Sequence, residues 1–114
     1  MTFGFAKTTL SPEAVDEVDR AAEMIREGGY TAIITGHADA KGAAGANQTV
    51  ALGRAQAVAD RMMQRGVDRA LLRVEGGGAD SPVASNESAG GRAANRRADI
   101  ELVPVVVPGA EPGR

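Results

Sequence analysis

Residues 30–66 read YTAIITGHADAKGAAGANQTVALGRAQAVADRMMQRG, and within them a strand-like pattern gives way to a helical one. Residues 30–35 form a continuous β-favouring run bounded by glycines, which predicts a strand in the middle of a covered sheet. Residues 37–45 are small, polar and punctuated by glycine, the composition of a loop. From Asn47 to Gln64, Ala51, Ala55, Val58 and Met62 recur at helical spacing, and Gly66 supplies a stop. Strand, polar loop and amphipathic helix in this order are the core of a layered α and β domain.

On the N-terminal side, Ser11-Pro12 reads as a helix N-cap with proline at the first helical position. Val15, Val18, Ala22 and Ile25 make the apolar stripe of the helix that follows, and Gly28-Gly29 ends it. Residues 2–5 read as a short opening strand. On the C-terminal side, residues 71–74 predict a third strand, and Gly76-Gly77-Gly78 with Ser81-Pro82 marks a loop. A weak helix is expected over 87–95, because Gly90 and Gly91 each cost about 1 kcal/mol against alanine. A final strand is expected over 100–103, continuing through 105–107, and 108–114 reads as a loose tail. The fold class is α+β, a two-layer sandwich in the order βαβαβ(α)β, with helices packed on one face of a small mixed sheet. Residues 1–103 form the domain and 104–114 a proline- and glycine-rich C-terminal tail.

The 114 residues suit a single core and hence a single site. With 43% hydrophobic and 25% charged residues and a formal net charge of −2, the chain is an ordinary globular one with no bias toward a polyanion. Phe3, Phe5 and Tyr30 are its only aromatics, too few for a single-strand stacking platform, so nucleic acid is set aside. The absence of cysteine excludes disulfides, thiolate catalysis and thiolate zinc sites. No apolar run approaches the roughly 18 residues of a membrane span, and the start lacks a signal peptide's pattern. Any signal or anchor is therefore expected outside this chain.

Asp39 lies in the loop beside His37, and Arg54 lies on the helix that follows. On a helical wheel Arg54 falls about 60° from the centre of the apolar stripe, at its edge, half in and half out. There its planar fork can meet a ligand carboxylate, while Asp39 accepts hydrogen bonds from an ammonium. Together they describe a receptor for a zwitterionic amino-acid head. The competing reading is an internal Asp39–Arg54 salt bridge that pins loop to helix. His37 with Asp39 is too little for zinc, which needs three or four protein ligands. None of Ser11, Ser81, Ser85 or Ser88 sits in a nucleophile-elbow context, so no enzyme is expected. Gly76-Gly77-Gly78 matches no phosphate loop and reads as a turn needing positive φ. The pair Arg96-Arg97 is of a kind usually solvated or paired with nearby acids, although Arg97 can line a carboxylate site where the loops converge.

These segments resemble the C-terminal domain shared by OmpA, the peptidoglycan-associated lipoprotein and the flagellar stator MotB proteins. Phe3-Gly4-Phe5-Ala6-Lys7 is similar to that family's opening F-x-F-D-K/S, and Gly36-His37-Ala38-Asp39 to its G-H-T-D loop. Asn47 through Ala55, N-Q-T-V-A-L-G-R-A, is similar to N-x-x-L-S-x-x-R-A, and Gly66-Val67 to the G-[IV] after that helix. Pro82, Asn86, Arg92 and Asn95-Arg96-Arg97 follow the family's ending in order. The resemblance implies non-covalent binding of the meso-diaminopimelate of a peptidoglycan stem peptide. Asp39 and Arg54 would grip the amino-acid head, with Asn47, Ala38 and Arg97 as further contacts. It implies no cofactor and no metal, a periplasmic or cell-envelope location, and leaves a homodimer open.

Three departures touch the implied site or its rim: Ala6 stands for an aspartate or asparagine, Ala38 for a threonine, and Gly77 for the aromatic of G-[YF]-G. A lost hydrogen bond to a charged ligand is worth about 1.5–3 kcal/mol, so affinity falls about tenfold or more for each polar contact removed. The alternative function is accordingly an OmpA-like scaffold or protein-interaction domain whose peptidoglycan binding is weakened or lost.

Overall fold

The Ser11 hydroxyl accepts from the Ala14 N–H at 3.1 Å, and the Pro12 ring supplies the helical φ where no N–H is required. Helix α1 (Pro12–Arg26) therefore starts where its cap dictates, and it ends before Gly28 and Gly29, whose φ of 94° and 91° suit glycine alone. The computed structural model describes residues 1–105. After α1 come β1 (Tyr30–Gly36), α2 (Ala44–Gln64), a 3-10 turn (Arg69–Leu71), β2 (Leu72–Gly76), α3 (Ala89–Asn95) and β3 (Ala98–Pro104).

The sheet has the order β2-β1-β3, with β2 parallel and β3 antiparallel to the central β1. Val18, Ala22 and Ile25 of α1 and Ala55, Val58, Ala59 and Met62 of α2 share one core with Ala32 and Ile34 of β1. Both long helices thus cover the same face of a mixed sheet, the expected α+β sandwich. The strand is central as its sequence implies, but it is covered on one face only. Ala32, Ile34 and Gly36 are buried, and the alternating Thr31, Ile33 and Thr35 are partly exposed. At Gly36 the strand meets the helix backbone to backbone, since a Cβ there would lie 1.7 Å from the Ala51 carbonyl oxygen.

Several boundaries differ from expectation. The opening strand over 2–5 is a single bridge between Thr2 and Arg97, with the Phe3 N–H donating to the Arg96 carbonyl at 2.8 Å. Phe3 is drawn into the core, and the chain then turns, Lys7 N–H bonding to Gly4 O at 3.0 Å with Ala6 at φ 53°, so no ladder can continue. Helix α2 begins at Ala44, ahead of residue 47, because its N-cap is Ala43, which makes no side-chain cap and leaves no sequence signal. The third strand starts at Leu72, because Leu71 closes the 3-10 turn. Ser88 caps α3, which begins at Ala89 rather than 87, and pairing with β1 starts β3 at Ala98, earlier than 100. Val105 lies beyond the strand, its N–H donating to Gly29 O at 2.8 Å. The expected continuation through 106–107 and the tail over 108–114 lie outside the described residues.

Candidate functional site

The loop leaving β1 is tied down at three residues. The His37 N–H donates to Arg97 O at 2.7 Å, the Ala38 N–H to Gly78 O at 2.7 Å, and the Ala40 N–H to Asn86 Oδ1 at 3.2 Å. Behind it, buried Asn95 accepts from the N–H groups of Val83 and Ala84 and donates to Ala84 O and Asn86 Oδ1. The side chain of Asn95 thus has its full complement of bonds, and through Asn86 it fixes the loop. Asp39, held between these ties, is 3% exposed. Its Oδ1 accepts from the Lys41 N–H at 3.0 Å and its Oδ2 from Arg96 Nη1 at 3.0 Å.

Arg54 departs from its expected half-exposed position, being 1% exposed. The N-terminal turn folds over it, so that Nε donates to Lys7 O at 2.9 Å, Nη1 to His37 O at 2.8 Å and Nη2 to Gly4 O at 3.1 Å. The guanidinium also lies 5.4 Å from the centre of the Phe3 ring. Burial, and then the charge of Arg96, holds its pKa below the ordinary guanidinium value, with Asp39 opposing the shift. The ion pair of Asp39 is made with Arg96, so the internal Asp39–Arg54 salt bridge is replaced by one that spacing did not suggest.

A cavity of about 140 Å³ opens beside Asp39. Ala38, Asp39, Asn47 and Arg54 all line it, together with Lys41 and Arg96, and Phe5, Ala6, Ala46 and Val50 give it an apolar wall. Arg97, expected as a further contact, does not line it. Its Nε donates to Asp99 Oδ2 at 3.2 Å and its Nη2 to Ser81 O at 2.9 Å, beside His37, whose Nε2 lies 3.2 Å from the same Asp99 oxygen. Of the pair Arg96-Arg97, the arginine at the cavity is Arg96. Neighbouring residues entering a strand point to opposite sides, so the arginine pair was the only signal, and register decides which member faces the site. Burial first and Arg97 second hold the pKa of His37 below its ordinary value, against the attraction of Asp99.

Of the three departures, Ala6 and Ala38 line the cavity, whereas Gly77 lies against His37: a Cβ on it would come 3.0 Å from Nδ1. Among the triple glycine, positive φ is confined to Gly78, at 59°. Among the described residues no group of three His, Cys, Asp or Glu is placed to hold a metal ion.

The family model described as "OmpA family" matches residues 2–96. The chain belongs to the OmpA family. The OmpA-family domain is 34% identical over 106 residues to the probable lipoprotein YiaD of Escherichia coli, covering 92% of this chain and 48% of that protein. It is 33% identical over 101 residues to the peptidoglycan-binding protein ArfA of Mycobacterium tuberculosis, covering 88% of this chain and 31% of that protein. The chain thus spans about half, or less, of the length of these curated relatives. The peptidoglycan-associated lipoprotein of Burkholderia pseudomallei shares its fold, with a TM-score of 0.86 at 24% identity over 90% of this chain and 87% of that one.

Proposed function

We propose that this OmpA-family domain binds peptidoglycan non-covalently, taking the diaminopimelate of a stem peptide into the Asp39 cavity and so tethering an envelope protein to the cell wall. One observation carries the reading: a buried carboxylate and two arginines line one small cavity with an apolar wall. Asp39 uses two of its roughly four acceptor positions on Lys41 and Arg96, which leaves room for a ligand ammonium. Arg96 has 17% of its side chain exposed and commits only Nε and Nη1, so Nη2 is available to a ligand carboxylate. Arg54, with three of its five donors on carbonyls, supports the site from behind and has two N–H left to offer. Phe5, Ala6, Ala46 and Val50 suit the methylene arm of the amino acid. The peptidoglycan-binding name of the relative ArfA points the same way. Such a tether works in the periplasm or cell envelope.

The scaffold reading draws on Ala6 and Ala38, which put methyl groups on the cavity where the resemblance implies polar side chains. Calorimetric titration with L-alanyl-γ-D-glutamyl-diaminopimelate separates the two. Heat of binding by the parent, weakened about tenfold or more by Asp39→Asn and by Arg96→Gln, is the expected result. No heat and no chemical-shift change at millimolar peptide puts the scaffold reading in its place.

A further inference from the structure

We infer that a second pocket adjoining the Asp39 loop, lined by Lys41 and Arg92, is a carboxylate subsite, and that it makes the domain prefer a stem peptide whose glutamyl α-carboxylate is free over one in which it is amidated. The inference rests on the diaminopimelate reading, since the first site must anchor the peptide for the second to meet its neighbour.

The pocket is a shallow one of about 380 Å³, and its lining is Ala40, Lys41, Asn86 and Arg92: two cations and no carboxylate. Several of the chain's other cations close on acids, Arg61 and Arg65 on Asp19, Arg73 on Glu75, Arg97 on Asp99. Among the described residues neither Lys41 nor Arg92 takes part in a salt bridge. Two like charges lining one pocket repel each other, and a bound anion relieves that repulsion. The floor is built rather than incidental. Arg92 Nη1 donates to Asn86 O at 2.9 Å, and Asn86 Oδ1 accepts from the Ala40 N–H and from Asn95, which is wholly buried.

Lys41 links the two sites, because it lines the Asp39 cavity as well. Its ammonium lies 5.0 Å from the centre of the Phe5 ring, and that ring forms part of the cavity wall. With the amino-acid head on Asp39 and the methylene arm along the apolar wall, the preceding residue of the same peptide would leave past Lys41 toward the second pocket. In the stem peptide that residue is a γ-linked glutamate, whose α-carboxylate is ionised at neutral pH when free and uncharged when amidated. A carboxylate gains hydrogen bonds from Lys41 and Arg92 in which both partners are charged, whereas an amide oxygen accepts from the same cations without the attraction between opposite charges.

The test is calorimetry with L-alanyl-γ-D-glutamyl-diaminopimelate and its glutamyl α-amide, on the parent, Lys41→Met and Lys41→Arg. The parent is expected to hold the free acid about tenfold more tightly than the amide. Lys41→Met should weaken the free acid about fivefold more than it weakens the amide, and Lys41→Arg should keep the preference. Lys41 is exposed, and the acid-to-amide ratio does not respond to a general loss of fold. Equal affinities for the two peptides, or a ratio that Lys41→Met leaves intact, overturns the subsite while the Asp39 reading stands. Failure of both peptides to bind the parent overturns both together.

Discussion

Three backbone carbonyls, those of Gly4, Lys7 and His37, accept hydrogen bonds from the one guanidinium of Arg54. Each loses its donor when the side chain is cut back, and a buried acceptor left unpaired costs about 1–3 kcal/mol. Arg54→Met is therefore expected to destabilise the domain by about 3 kcal/mol or more, read from the urea midpoint. Arg54→Lys should recover only a small part, because a single ammonium cannot span three carbonyls as a planar fork does. Stability unchanged by Arg54→Met would mean that water replaces the guanidinium. The sequence marked Arg54 and Asp39 by residue type, but it put Arg54 at a half-open edge. The wheel sees only the helix, whereas the cover comes from Gly4 and Lys7, about fifty positions away along the chain.

Helix α2 starts without a side-chain cap, on Ala43 at φ −75° and ψ 145°, a conformation that a capping residue adopts unstrained. Ala43→Ser should accordingly raise stability by about 1 kcal/mol, visible as a higher melting temperature with the fold unchanged. No gain would mean that the first-turn N–H groups are already satisfied by water. At the other end of the β1–α2 unit, Gly36→Ala forces a methyl against the Ala51 carbonyl. Separating strand and helix at that point should cost about 3 kcal/mol in denaturant unfolding. The contrast with α1 explains which boundaries were legible. Ser11-Pro12 writes its start into the sequence, whereas Ala43 writes nothing, and the opening strand fails because Phe3 is taken by the core.

The whole molecule is joined at one end by His37, at the exit of β1, to Asp99 and Arg97 at the entry of β3. Burial and Arg97 keep the imidazole neutral to lower pH in the folded state than in the unfolded chain. As the pH falls through about 6.5, the unfolded chain takes up the proton first, so stability is full above that value and is lost toward the lower folded pKa. Urea titrations between about pH 5 and 8 should show this decline, and His37→Gln should flatten it; an equal slope in both would assign the decline to other groups. The α+β class, the central strand, both long helices and the loop carrying Asp39 were legible along the chain. Those follow from local periodicity, glycine stops and the Ser-Pro cap. The sealing of Arg54 by the N-terminal turn, the pairing of Asp39 with Arg96 and the pocket shared by Lys41 and Arg92 arise only in the assembled fold. Each of these depends on chain-distant segments meeting at a fixed register, and pairing of that kind leaves no local pattern to read.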